Sequence, residues 1–120
     1  MTSRELIGAA IEVHRQLGPG LLESIYQACL SQELTLRGIR HQKEVPFPVI
    51  YKGIQLDLGL RVDLVVDDLV IAELKSVRQV DPVHQLQLLT YLRLTRRWLG
   101  LLINFNSTHL KYGLQRVLNG

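Results

Sequence analysis

The stretch "VDLVVDDLVIAELK", residues 62 to 75, sets Asp63 on one apolar, strand-like run and Glu73 and Lys75 on the next. Two carboxylates on one sheet face repel each other unless a cation sits between them, and oxygen ligands of this kind suit Mg²⁺ or Mn²⁺. A lysine beside them would help to position or deprotonate a water and would neutralise charge building on a phosphoryl oxygen, which outlines a hydrolytic centre. All of this requires Asp63 and Glu73 to share a face. Their separation of ten in the sequence allows it if Val66 pairs with Val70 and the loop holds Asp67, Asp68 and Leu69. A two-residue Asp67-Asp68 turn would pair Asp63 with Ala72 and split the carboxylates between faces, unless a bulge repaired the register. Lys75, two residues past Glu73, points the same way. The same residue types also describe a solvated strand face with cross-strand ion pairs, so spacing alone leaves both readings open.

The rest of the chain must build and brace this hairpin. Leu6, Ile7, Ala10, Ile11, Val13, His14 and Leu17 recur at helical steps and predict an amphipathic helix over residues 3 to 17, stopped by "GPG". Leu22, Ile25, Tyr26, Cys29, Leu30 and Leu34 predict a second helix ending near Gly38. "HQKEVPFPVIYKG" shifts to a period of two, and Pro46 and Pro48 mark it as an edge strand because proline cannot donate to a ladder. In the next run Ile54, Leu56, Leu58, Leu60, Val62 and Leu64 are expected on the core face, with Gln55, Asp57, Gly59, Arg61 and Asp63 on the other. "LVIAELKS" reads as a central strand, and Asp81-Pro82 starts a helix reaching about Thr95, since aspartate caps free amides and proline suits the first helical position. "RWLGLLINF" predicts a buried strand and "HLKYGLQRV" a last one. The expected fold is α/β, one domain over residues 1–120, with a mixed sheet flanked by helices in the order ααβββαββ.

The chain's 120 residues, 47% of them hydrophobic and 21% charged, suit an ordinary globular domain with a real core rather than a disordered chain. A net charge of +3 tolerates a polyanionic partner without demanding one. Cys29, the single cysteine, excludes an intrachain disulfide and a multi-cysteine metal site, which favours a reducing, cytoplasmic setting. No signal-like segment and no membrane-length apolar run is present. There is no Gly-x-Ser-x-Gly elbow, "GPGLLES" lacks a phosphate-loop lysine, and the four histidines are too scattered for zinc. Arg37, Arg40, His41 and Lys43 form one basic cluster, and Arg93, Arg96 and Arg97 another; phosphate contact and solvated helix ends explain them equally well.

Asp63, nine intervening residues and then "ELK" resemble the bipartite signature of the PD-(D/E)xK nuclease superfamily, with Val62 where the name has proline. "GLLESIY", residues 20 to 26, resembles the Gly-x-x-Glu-x-x-Tyr pattern of the prokaryotic GxxExxY proteins placed in that superfamily. "HQLQLLTYL" holds Gln87 and Tyr91 four apart on one helix face, similar to the Gln-x-x-x-Tyr element of a large nuclease branch. The resemblance runs from about Leu6 to Leu118 and implies a restriction-endonuclease-like core. It implies a Mg²⁺- or Mn²⁺-dependent nuclease acting on nucleic acid, DNA before RNA. Glu23, Asp63, Glu73 and the Leu74 carbonyl would serve the metal, with Lys75 orienting water and Gln87 and Tyr91 supporting the lysine or substrate. Glu23 in a first helical turn is also favoured by the helix dipole alone, and His84 is better explained as a cap contributor. A silent nucleic-acid-binding or assembly module on the same fold is the rival reading. No helix-turn-helix or zinc finger is recognisable, so pairing of two subunits is the expected route to a wider substrate surface.

Overall fold

The computed structural model describes residues 2–120, apart from the side chains of residues 57–59. In chain order the elements are α1 (Thr2–Leu17), α2 (Glu23–Leu36), β1 (His41–Tyr51), β2 (Ile54–Val66), β3 (Val70–Lys75), α3 (Pro82–Thr95), β4 (Leu99–Asn104), a 3₁₀ turn (Leu110–Gly113) and β5 (Leu114–Leu118). The expected ααβββαββ order therefore holds, and it is consistent with a restriction-endonuclease-like fold. The five strands lie in the order β1-β2-β3-β4-β5, with β3 and β4 parallel and the other neighbours antiparallel. A parallel pair needs a crossover, and α3 supplies it.

Alternation along the central strands feeds two cores, one on each face of the sheet. Leu64, Val66, Val70, Ala72 and Leu74 meet Leu6, Ala9 and Val13 of α1 and Tyr26, Leu30 and Leu34 of α2. Val65, Ile71 and Leu102 meet Leu88 and Leu92 of α3 on the other side. Tyr26 and Phe105 stack with centroids 4.5 Å apart and planes 7° apart, worth about 1 kcal/mol beyond the area they bury. Gly100 is required where α3 crosses β4, because a Cβ there would stand 3.0 Å from Leu88.

Asp81 caps α3 through Val83 N at 3.0 Å, and His84 closes a capping box by accepting from Asp81 N at 3.2 Å, which leaves His84 with a structural task. The β2–β3 turn settles the register. Asp67 and Asp68 both have positive φ, as a type I′ turn needs, and Leu69 N donates to Val66 O at 3.0 Å. Leu69 is then the extra residue that lets Val66 pair with Val70.

The continuous core face expected for β2 is not observed. Val62 packs with the α3 core whereas Leu64 packs with the helical core on the opposite face, so the alternation breaks at Asp63. Glu44, the residue across from it on β1, has φ 48°, and the β1–β2 pairing skips both residues. Ile54 and Leu56 are exposed, and the expected placements of Asp57, Leu58 and Gly59 fall outside the described side chains. The tail also differs slightly: "HLKYG" forms a 3₁₀ turn before β5, rather than continuing the strand.

Candidate active site

Pairing between β2 and β3 runs through Val66↔Val70, Val65↔Ile71 and Leu64↔Ala72, and goes no further. Beyond that point the strands part, and side chains replace the missing ladder bonds. Asp63 N donates to Glu73 Oε1 at 3.2 Å, and Leu74 N donates to Asp63 Oδ2 at 2.8 Å. The two carboxyls thus fill a fork between adjacent strands and act on each other electrostatically. The Asp63 carbonyl, turned out of the ladder, accepts from Gln27 Nε2 of α2 at 3.1 Å.

Glu73 is 8% exposed, so its charge is costly. Burial first, and then the charge of Asp63, pushes Glu73 up to about 8, against the pull of the Asp63 amide and the Lys75 ammonium. Asp63 is raised as well, by burial and then by the charge of Glu23, against the opposing Leu74 amide and Lys75. Both carboxyls are thus pushed towards the protonated form, Glu73 the more strongly because it is the more deeply buried. Tyr91 of α3 is raised by burial and then by the charges of Glu73 and Asp63, which brings its phenol into the same electrostatic neighbourhood.

The structure therefore joins Asp63, Glu73 and Leu74 directly, and Lys75 and Tyr91 through charge. Glu23 is adjacent but turned elsewhere: its Oε1 accepts from Ser76 N at 3.4 Å, and it shares with Ser24, Gln27, Glu44, Asp63 and Leu74 a cavity of about 200 Å³. Gln87 is exposed on α3, one turn before Tyr91. Tyr26, fully buried, donates to Gly18 O at 2.5 Å and accepts from Leu21 N at 3.1 Å, locking the loop that delivers Glu23.

Three supporting residues escape a motif search. Gln27 holds the Asp63 carbonyl; Ser76 Oγ donates to Leu21 O at 2.5 Å; Asn104 accepts from Val77 N at 3.1 Å and donates to Val77 O at 2.9 Å. Asn104 is buried at the end of β4, opposite Lys75, and so clips the segment after the lysine to the sheet. Its one sequence signal is an amide ending an otherwise apolar strand.

A sequence profile of the PD-(D/E)XK nuclease superfamily matches residues 1–117. The chain belongs to this superfamily. No curated protein and no solved structure matches it. As a PD-(D/E)XK protein it carries a nuclease-like domain, and nucleases of this superfamily generally use divalent metal ions. Among the described residues no three His, Cys, Asp or Glu side chains gather closely enough to hold a metal between them. The tight unit of this PD-(D/E)XK site is a pair of carboxyls rather than a triad. The first basic cluster is largely tied down, with Arg37 paired to Glu33 at 2.7 Å, Arg40 to Asp67 at 3.4 Å and His41 Nε2 meeting Ser31 Oγ at 2.7 Å, and in the second Arg97 pairs with Asp68.

Proposed function

We propose that this PD-(D/E)XK protein is a divalent-metal-dependent nuclease that hydrolyses phosphodiester bonds in nucleic acid, with DNA preferred. The observation that carries the reading is the Asp63–Glu73 pair, a half-buried and a buried carboxyl held by backbone amides where β2 and β3 part, with Asp63 lining a cavity and neither acid ion-paired to an arginine or lysine among the described residues. Such a pair fits a small hard cation. It offers oxygen donors only, and Mg²⁺ commonly takes one or two carboxylates and completes its shell with water and phosphate oxygens, so a third acid in contact is not required. Asp63, Glu73 and the Leu74 carbonyl would hold the ion, with Glu23 reaching it through water across the shared cavity. When bound, the ion supplies Lewis-acid polarisation and a more acidic water.

The chain's own groups supply the rest. The Leu74 and Asp63 amides hold one oxygen of each carboxyl, which fixes the pair before substrate arrives. Lys75 faces the same side of β3 as Glu73 and favours the ionised form of both carboxyls. Its ammonium orients the attacking water and neutralises charge on the phosphoryl oxygens. Tyr91 steadies the lysine or a phosphate oxygen from the α3 side, and Gln87, exposed on the same helix, contacts the substrate backbone. The narrower kinship with GxxExxY proteins rests on Gly20, Glu23 and Tyr26, whose shared task here is to hold the α2 entrance.

Incubation with Mg²⁺ or Mn²⁺ and a panel of single-stranded, duplex, flap and branched DNA and RNA tests the reading, alongside Glu73→Ala and Lys75→Ala. Metal-dependent cleavage lost in both variants is expected. Tight binding without cleavage by any form would instead indicate a silent module. Light scattering checks the proposed homodimer. No helix among the described residues is long and apolar enough to cross a membrane; the cytoplasmic setting proposed for the protein rests on its single cysteine.

A further inference from the structure

The sheet does not end at the fork. β1 and β2 pair from Val45↔Val62 to Phe47↔Leu60 and, after a shift of register between Phe47 and Val49, from Val49↔Leu56 to Tyr51↔Ile54, well past the last β2–β3 pair. At the ordinary strand rise, the ribbon from Glu44 to Tyr51 reaches about 25 Å, a large part of the molecule's 46 Å long axis. Its direction follows from the topology. β2 is antiparallel to β3, so the ribbon leaves the sheet on the side where Glu73 and Lys75 end β3, and Asp63 sits at its foot.

One face of this ribbon is a row of apolar cross-strand pairs: Val45 with Val62, Phe47 with Leu60, Val49 with Leu56, Tyr51 with Ile54. Its inner members, Val62 and Leu60, are 0% and 6% exposed, while Leu56 and Ile54 beyond them are 42% and 64% exposed. The row starts in the α3 core, on the face that carries Glu73, and continues into solvent. On the opposite face Ile50 is exposed too, so the tip is apolar on both sides. Lys52 and Gly53 both have positive φ, the sign a type I′ turn needs, which makes the tip tight and preformed. Lys52 Nζ lies 5.4 Å over the Tyr51 ring.

An isolated two-stranded ribbon is marginal in water, and exposed apolar pairs make it more so. A partner that adds a strand is disfavoured, because Pro46 and Pro48 on the edge strand lack the amides such a strand would use. Docking of one flat face on another protein would leave Ile50 on the far side uncovered. A groove with two walls covers both sides, and the major groove of a duplex admits a two-stranded ribbon. The cationic side chains described on the ribbon, Lys52 at its tip and Arg61 near its foot, are exposed and suited to phosphates, and Lys43 adds a third just before the fork; Glu44 at the foot and Asp57 are the ribbon's acids in the sequence.

We infer that the β1–β2 ribbon is the grip for duplex nucleic acid, lying in a groove with Tyr51, Lys52 and Ile54 at its tip while the fork at its foot meets the scissile strand. The inference deepens the nuclease reading and rests on it. The ribbon's reach corresponds to about seven base pairs at 3.4 Å each. Contacts that far from the cut help only duplexes long enough to supply them.

The test measures fluorescence anisotropy in EDTA and cleavage in Mg²⁺, for the whole chain and for Tyr51→Ala/Ile54→Ala and Lys52→Ala, on duplexes of about 8 and 30 base pairs. Both side chains of the double variant are solvent-exposed, so its melting temperature should match the parent. On the long duplex the double variant should bind about tenfold more weakly with kcat retained and KM raised, and Lys52→Ala should lower the salt slope by about one. On the short duplex all three proteins should behave alike. Unchanged affinity with cleavage intact would overturn the grip and leave the nuclease standing. An altered oligomeric state with unchanged affinity would also overturn it, marking the tip as an interface between copies. A parent chain that neither binds nor cleaves any duplex would overturn the grip, whereas the nuclease reading falls only if the single-stranded and branched substrates also stay intact.

Discussion

The β2–β3 hairpin carries two acidic pairs a few residues apart, and they have opposite fates. Asp67 and Asp68 at the turn are exposed or partly so, and arginines meet both: Arg40 at Asp67 and Arg97 at Asp68. Thr2 Oγ1 also donates to Asp67 at 3.1 Å, so the turn's charges are spent on holding elements together. Glu73 is buried and Asp63 half-buried, both are held by backbone amides, and the lysine beside them acts from beyond ion-pair distance. Four carboxylates on one hairpin therefore divide by environment. Acids paired with arginine at the surface are structural, and the less solvated acids that lack such a partner are poised for a cation.

The contrast is broken most sharply by removing the charge of the Asp63–Glu73 pair. Asp63→Asn or Glu73→Gln should lower metal-dependent cleavage by about 10³-fold, read as kcat/KM on a matched substrate. Loss of Lys75 removes one positioned cation and leaves the carboxyls in place. Lys75→Ala should thus cost about 10²-fold, mostly in kcat.

A pH series sharpens the same contrast without activity. Glu73's folded pKa is raised above its unfolded value, so the folded state holds the proton more tightly. That stabilisation is complete below the ordinary glutamate range near 4.5 and is lost as pH rises through about 8. Metal-free protein should melt at a lower temperature at pH 8.5 than at pH 5.5, and Glu73→Gln, which mimics the protonated acid, should flatten the decline. Mg²⁺ should restore stability at the higher pH while releasing protons, measurable by calorimetry in two buffers. At the turn the effect should be smallest. Asp68→Ala breaks one exposed ion pair and should cost under about 1 kcal/mol in chemical denaturation with cleavage unchanged; a large loss of activity there would erase the distinction between the two pairs.

Much of the fork was legible before folding. The ten-residue spacing brought Asp63 and Glu73 opposite each other at the open end of the hairpin, and the Asp67–Leu69 loop has the length that spacing needed. Asp81-Pro82 announced α3, and His84 went to its cap. These are short-range features, set by backbone geometry within a few residues. The convergence expected of Glu23 is looser than its motif suggests, because its position depends on how α2 docks, and there Tyr26 stacks on Phe105 nearly eighty positions away. Gln27, Ser76 and Asn104 carry no motif at all, since each acts on a backbone group brought near only by packing.

By itself the sequence determined the order of elements, the caps and turns, and the presence of two acids and a lysine at one end of a hairpin, because local periodicity and turn chemistry act over neighbouring residues. Tertiary structure decided which of those acids are neutralised, where the alternation of β2 breaks, and that β1 and β2 run on beyond the sheet. Burial, strand divergence and the distance between charges depend on segments far apart in the chain, and only packing brings those segments together.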